Sequence, residues 1–131
     1  MTTITLLYVL NLAVLLGVAL VGVYGVLAKK NIIKKIIALT ILGDTVNTIA
    51  IYLGYRVKGN PLPPILPYLH PSQQEISVFA SRAVDPIPQA LVITAIVINL
   101  AVTAFLLFLA VKIYQQYGTL DYRKILEKMR R

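Results

Sequence analysis

Between Gln89 and Val111 the chain runs for 23 residues without a charged side chain. As a helix rising 1.5 Å per residue, such a run is about 34 Å long, enough to cross the roughly 30 Å hydrocarbon core of a bilayer with some tilt. Asp85, just ahead of it, can cap a helix N-terminus, and Pro86 or Pro88 can occupy the first turn, where a missing N–H costs nothing. The solvent of this chain is therefore expected to be lipid.

Two further runs repeat the pattern. Ile4 to Ala28 contains no charge and stops at Lys29-Lys30, and Ile36 to Tyr55 is opened by Lys34-Lys35 and closes near Gly54-Tyr55-Arg56. Only 14% of the 131 residues are charged, against about 25% in soluble domains, so a soluble chain this small could not hide its apolar surface. The expected architecture is an all-α membrane protein, a single membrane domain over residues 1–131. Its transmembrane helices cover about residues 4–28, 36–55 and 89–111, with an outer proline-rich loop over 56–85 and a cytoplasmic tail over 112–131. The first run lacks a preceding basic segment and is too long for a signal-peptide core, so a retained helix is expected.

Charge sets the orientation. Lys29, Lys30, Lys34 and Lys35 crowd the short first connection, and Lys112, Arg123, Lys124, Lys128, Arg130 and Arg131 follow the third run, which puts ten of the thirteen basic residues on one side. The long connection holds only Arg56, Lys58 and Arg82. The positive-inside rule places the short connection and C-terminus in the cytoplasm and the N-terminus outside, in a multi-pass protein of the cell membrane. Because these basic residues flank apolar spans and form no single face, no nucleic-acid partner is expected.

The long loop carries five prolines between Asn60 and Pro71, which favour extended, polyproline-like backbone. It reads either as a flexible exterior loop or as a lid over neighbouring subunits, with Ile65, Leu66, Tyr68 and Leu69 as contacts. From Leu120 to Arg131, Tyr122, Ile125, Leu126 and Met129 recur at helical spacing among charges. That pattern predicts a C-terminal amphipathic helix lying at the cytoplasmic interface.

Polar residues inside the runs are the site candidates. Thr40, Asp44, Asn47 and Thr48 share one helical face of the second run, with Asp44 near its middle. A charged aspartate there costs about 2.5–3.5 kcal/mol on insertion scales, so it must face protein or water, or stay protonated. Two readings stand side by side. In one, Asp44 is a relay or cation-binding carboxylate with Asn47, Thr48 and Thr40 beside it on the ion pathway. In the other, it is a hydrogen-bonded packing site, a role that the adjacent Gly43 favours by permitting close helix approach. Asn11 in the first run, and Asn99 and Thr103 in the third, are candidate interhelical packing contacts. Gly22, Gly25 and Ala28 give the first run a small-residue ridge.

No catalytic constellation of nucleophile and base is visible. The absence of cysteine and the single histidine, His70, leave no metal or cofactor site expected in this chain.

The run DPIPQALVITAIVINLAVTAFLLFLA resembles the third helix of the C-type component of Mrp-type cation/proton antiporters. The residues that carry the resemblance are Asp85, Pro86, Pro88, Gln89, Ala90, Leu91, Thr94, Ala95, Ile96, Val97 and Ile98, with Ile87 in place of a leucine. The three-span layout, basic short loop and basic tail are also similar to that family. It is related in turn to the K-type component of respiratory complex I and to small subunits of archaeal membrane-bound hydrogenases. The resemblance implies a subunit of a multi-subunit antiporter module with Na⁺ and H⁺ as transported ions and other subunits as partners. The alternatives are the equivalent subunit of a ferredoxin-linked complex, whose Fe–S or NiFe centres would sit in other subunits, and a purely structural assembly subunit. Membrane glutamates of the complex I relatives fall near Thr40 and Asn99, neither of which titrates, so that relay does not carry over. Asp44, one turn beyond Thr40, is the candidate substitute.

Overall fold

The computed structural model describes residues 3–55, 60–66 and 69–130. Arg56 and Lys58 of the outer charge count, Tyr68 of the loop contacts and Arg131 of the tail lie outside the described residues. The helices, in order, are α1 (Thr3–Ala28), α2 (Ile32–Leu53), α3 (Gln73–Arg82), α4 (Pro86–Tyr117) and α5 (Tyr122–Met129). The fold is all-α, and α1, α2 and α4 are long and apolar enough to cross a membrane.

Helix boundaries follow from local chemistry. Helix α2 starts four residues before the expected Ile36 because the Asn31 side chain caps it, accepting from the Ile33 and Lys34 amides at 2.9 and 3.4 Å. The lysines that mark the membrane edge thus sit within its first turn. Helix α4 starts at Pro86, as Asp85 Oδ1 accepts the Ile87 amide at 2.9 Å. It runs on to Tyr117, past Lys112, until Gly118 adopts φ 67° and ends it. Its 32 residues make about 48 Å of helix, longer than a hydrocarbon core of roughly 30 Å.

The outer proline-rich loop expected over 56–85 is not all loop. Its second half is α3, opened by a reciprocal capping box. Glu75 accepts the Ser72 amide at 2.8 Å, and the Ser72 hydroxyl oxygen accepts the Glu75 amide at 3.3 Å. The Ser72 backbone and hydroxyl hydrogen bonds hold the Glu75 carboxyl below its ordinary pKa. Further along, Leu62 donates to the Arg82 carbonyl and accepts from the Val84 amide, both at 3.1 Å, which ties the proline-rich segment at Leu62 to the α3–α4 junction. Ile65, Leu66 and Leu69 stay exposed.

Helix α2 is the centre of the packing. It lies against α1 on one side and α4 on the other, and no comparable contact joins α1 to α4 among the described residues. The result is a layer of three helices rather than a closed bundle, so most apolar side chains face outward and the buried set among the described residues is small: Gly22, Gly25, Ile36, Ala38, Val84, Val92, Ala110 and Ile125, with Thr45. Between α1 and α2, the missing side chains of Gly22 and Gly25 allow close approach. A Cβ on Gly25 would lie 2.6 Å from the Ala38 Cβ, and one on Gly22 would lie 3.1 Å from the Leu42 Cβ.

Gly25→Leu is accordingly expected to destabilise the purified chain in detergent by about 1–3 kcal/mol, the usual range for overpacking. Gly17→Leu, where an added Cβ meets nothing within 4 Å, is expected to melt like the parent. Equal thermal melts for both variants would contradict the close α1–α2 contact.

Candidate functional site

The polar face of α2 is turned toward α4. Helices α2 and α4 are antiparallel, so residues one turn apart on one meet residues one turn apart on the other in reverse order. Asn99 Nδ2 donates to Asp44 Oδ1 at 2.9 Å. One turn away, the Thr40 and Thr103 hydroxyls lie 3.2 Å apart. Thr40 also bonds the Ile36 carbonyl at 3.1 Å. A hydroxyl has one proton to give, so with Thr40 donating to that carbonyl, Thr103 is the donor between the two threonines.

Glycine makes room for the Asp44–Asn99 pair. A Cβ on Gly43 would lie 3.0 Å from Asn99 Nδ2 and 3.2 Å from its Oδ1. The Asn99 amide therefore rests on the bare backbone of α2, beside the carboxylate it binds. Asp44 is twelve residues into α2 and nine from its end, which puts it about 18 Å and 14 Å from the two ends. A hydrogen bond to a charged group is worth about 1.5–3 kcal/mol. That is comparable with the insertion cost of a mid-membrane aspartate, about 2.5–3.5 kcal/mol. Yet Asp44 remains exposed on the surface of the isolated chain.

The other candidates are less gathered. The Thr48 hydroxyl donates back to the Asp44 carbonyl at 2.8 Å. Asn47 is half-buried on the next turn, and Asn11 is exposed on α1. In the motif at the start of α4, Asp85 caps the helix and its own amide donates to the Gly54 carbonyl at 3.3 Å. Pro88 presses its ring against Gly54, where a Cβ would come within 2.7 Å. Those contacts join the end of α2 to the start of α4. Gln89 is half-buried and Thr94 is exposed.

Sequence reasoning does not single out Tyr8. Its hydroxyl donates to the Tyr52 carbonyl at 2.8 Å, and its ring packs against those of Tyr52 and Tyr55. Its one signal in the sequence is its place, about one turn inside the first apolar run, where tyrosines gather at membrane interfaces.

A chain of three membrane-length helices with one carboxylate held between two of them belongs to a multi-pass membrane protein, and comparison with known proteins gives its family. Residues 7–128 match the family of NADH-ubiquinone/plastoquinone oxidoreductase chain 4L. The C component of the Bacillus subtilis Na⁺/H⁺ antiporter is 35% identical over 84% of this chain and 87% of its own. The C1 component of the Staphylococcus saprophyticus Na⁺/H⁺ antiporter is 38% identical over 75% of this chain and 74% of its own. An uncharacterized protein of Methanocaldococcus jannaschii is 38% identical over 83% of this chain and 80% of its own. Among solved structures, a chain of the membrane-bound sulfane sulfur reductase, an archaeal respiratory membrane complex, aligns with a TM-score of 0.68. It is 40% identical over 92% of this chain and 94% of that one. The chain belongs to the chain 4L family, which it shares with the C components of Na⁺/H⁺ antiporters to which it is similar.

The geometry makes Asp44 and Asn99 an energetically coupled pair. Alanine variants at the two positions, singly and together, are expected to show a coupling of about 0.6 kcal/mol and at most about 1.7, the average and the maximum found between membrane helices. Denaturant unfolding in mixed micelles measures it, and additive effects would contradict the bond.

Proposed function

We propose that this chain is the C-type component of an Mrp-type cation/proton antiporter module in the cell membrane, and that the Asp44–Asn99 pair borders its ion path. One observation carries the reading: the sole carboxylate within the three long helices is bound across the α2–α4 contact on one side and open on the other. The names of the Bacillus and Staphylococcus relatives support it.

The chemistry is competition for one carboxylate. A proton and Na⁺ both neutralise it, and Na⁺, a hard cation, prefers oxygen donors such as carboxylate, carbonyl and water. The Asn47 amide oxygen and the Thr48 and Thr40 hydroxyls stand on the same helical face as neutral oxygens. Asn99 donates to one carboxylate oxygen and leaves the other for the exchanging ion. Neighbouring subunits cover the exposed side of Asp44 and supply the remaining ionisable groups of the proton route.

In this reading the chain is one membrane domain, residues 1–131. Its N-terminus and α3 lie outside, and the lysine-rich α1–α2 connection lies in the cytoplasm. Helix α5 lies at the cytoplasmic interface, with Ile125 toward the chain, Leu126 toward lipid and Lys124 toward headgroups, while the Lys128 ammonium donates to the Tyr117 carbonyl at 2.6 Å.

The same component within a redox-driven complex is a second reading. It is favoured by the 40% identity to a chain of an archaeal respiratory membrane complex. Fe–S or NiFe centres would then reside in other subunits, and the identity of co-purifying chains separates the two settings.

Asp44→Asn keeps the size of the side chain and its contact with Asn99. In the assembled complex it is expected to lower Na⁺-dependent proton exchange in proteoliposomes on the order of tenfold, or about 1.4 kcal/mol. Unchanged exchange by an intact complex would take Asp44 off the path. If Asp44→Leu then altered assembly alone, the role of the chain would be structural.

A further inference from the structure

The close approach of α1 and α2 leaves a groove on their shared face, at the end that carries their short connection. Its volume is about 310 Å³. The floor is the bare backbone of Gly22 and Gly25 with Ala38, and Val21, Ile37 and Ile41 form the walls. Lys29 and Lys34 stand at the mouth, one from each helix end. We propose that this groove binds an anionic phospholipid, with one acyl chain along the glycine floor and the phosphate between Lys29 and Lys34.

Three features favour that occupant. From Val21 to Lys29 the groove follows about 12 Å of helix, a depth that starts at the membrane interface and ends inside the hydrocarbon, as a lipid does. The interface level is marked independently by Tyr24, 61% exposed, over whose ring the Lys29 ammonium lies at 5.5 Å from the centroid. The connection itself is basic: residues 29–35 contain four lysines and no acid. A basic mouth on an apolar slot between spans suits a phosphate headgroup. A partner helix would bring a cylinder about 10–12 Å across to a groove of about 310 Å³. It would also need acidic residues at the lysine level.

The test uses the assembled complex in vesicles of phosphatidylcholine and phosphatidylglycerol. One lipid at a time carries a photoreactive group in its acyl chain, and labelled peptides are mapped by mass spectrometry. Phosphatidylglycerol is expected to label residues 21–41 at least fivefold more than phosphatidylcholine at equal mole fraction. Lys29→Gln with Lys34→Gln removes both charges, and with them the Lys29 contact on the Tyr24 ring, and is expected to bring the two lipids to parity. Val21→Trp, at a lining residue 67% exposed, adds bulk at the groove and is expected to cut labelling by both lipids. Equal labelling by the two lipids in the parent would overturn the proposal. So would protection of the groove from both, which would mean a protein partner covers it, or a lipid preference that survives loss of both lysines.

Discussion

In lipid, the association of one helix with another gains little from burying apolar surface, because the tails are as apolar as leucine. What remains is close packing and polar pairing, and α2 uses one on each flank. Toward α1 it meets glycines, so that Ala38 and Leu42 approach the bare backbone of Gly25 and Gly22. Toward α4 it meets side chains that hydrogen-bond, Thr40 with Thr103 and Asp44 with Asn99. The glycine beside Asp44 serves the second flank as well, since it gives the Asn99 amide its place. The other two long helices are positioned by this central one.

The ends of the layer are closed by backbone. At one end, Ile32 donates to the Leu120 carbonyl at 3.0 Å and Tyr122 donates to the Lys30 carbonyl at 3.2 Å. This pairs the α1–α2 connection with the entry to α5. Lys35 lies over the Tyr122 ring at 5.3 Å and Ile125 is buried, which fixes α5 against the same corner. At the other end, the Asp-Pro-Ile-Pro motif brings α4 onto Gly54. The residues that carry the family resemblance thus join α2 to α4, the two helices that hold Asp44.

Much of this is legible in the amino-acid sequence, because a membrane span is announced by a long run without charge and its ends by lysines. The three spans are recognisable there, with ends off by several residues. The differences have local causes: an asparagine cap draws α2 back to Ile32, and α4 continues through Lys112 since a lysine at the interface does not end a helix, whereas Gly118 does. Helix α3 is masked by five prolines, although Ser72 and Glu75 stand at the spacing of a capping box. Thr40, Asp44, Asn99 and Thr103 are each visible as polar residues in lipid. Their pairing is not, because the register of two antiparallel helices depends on packing that periodicity does not encode.

The arrangement leaves one carboxyl group inside the membrane, tethered by a neutral amide and open on its far side. A carboxylate that binds Na⁺ and H⁺ in turn must change its bonding when either ion arrives, whereas one that only packs against Asn99 has no reason to. Infrared difference spectroscopy of the assembled complex, with and without Na⁺ at fixed pH, reads that change directly. The account predicts a carboxylate band that responds to Na⁺ and disappears in Asp44→Asn. A Na⁺ response identical in the parent and the variant would contradict it.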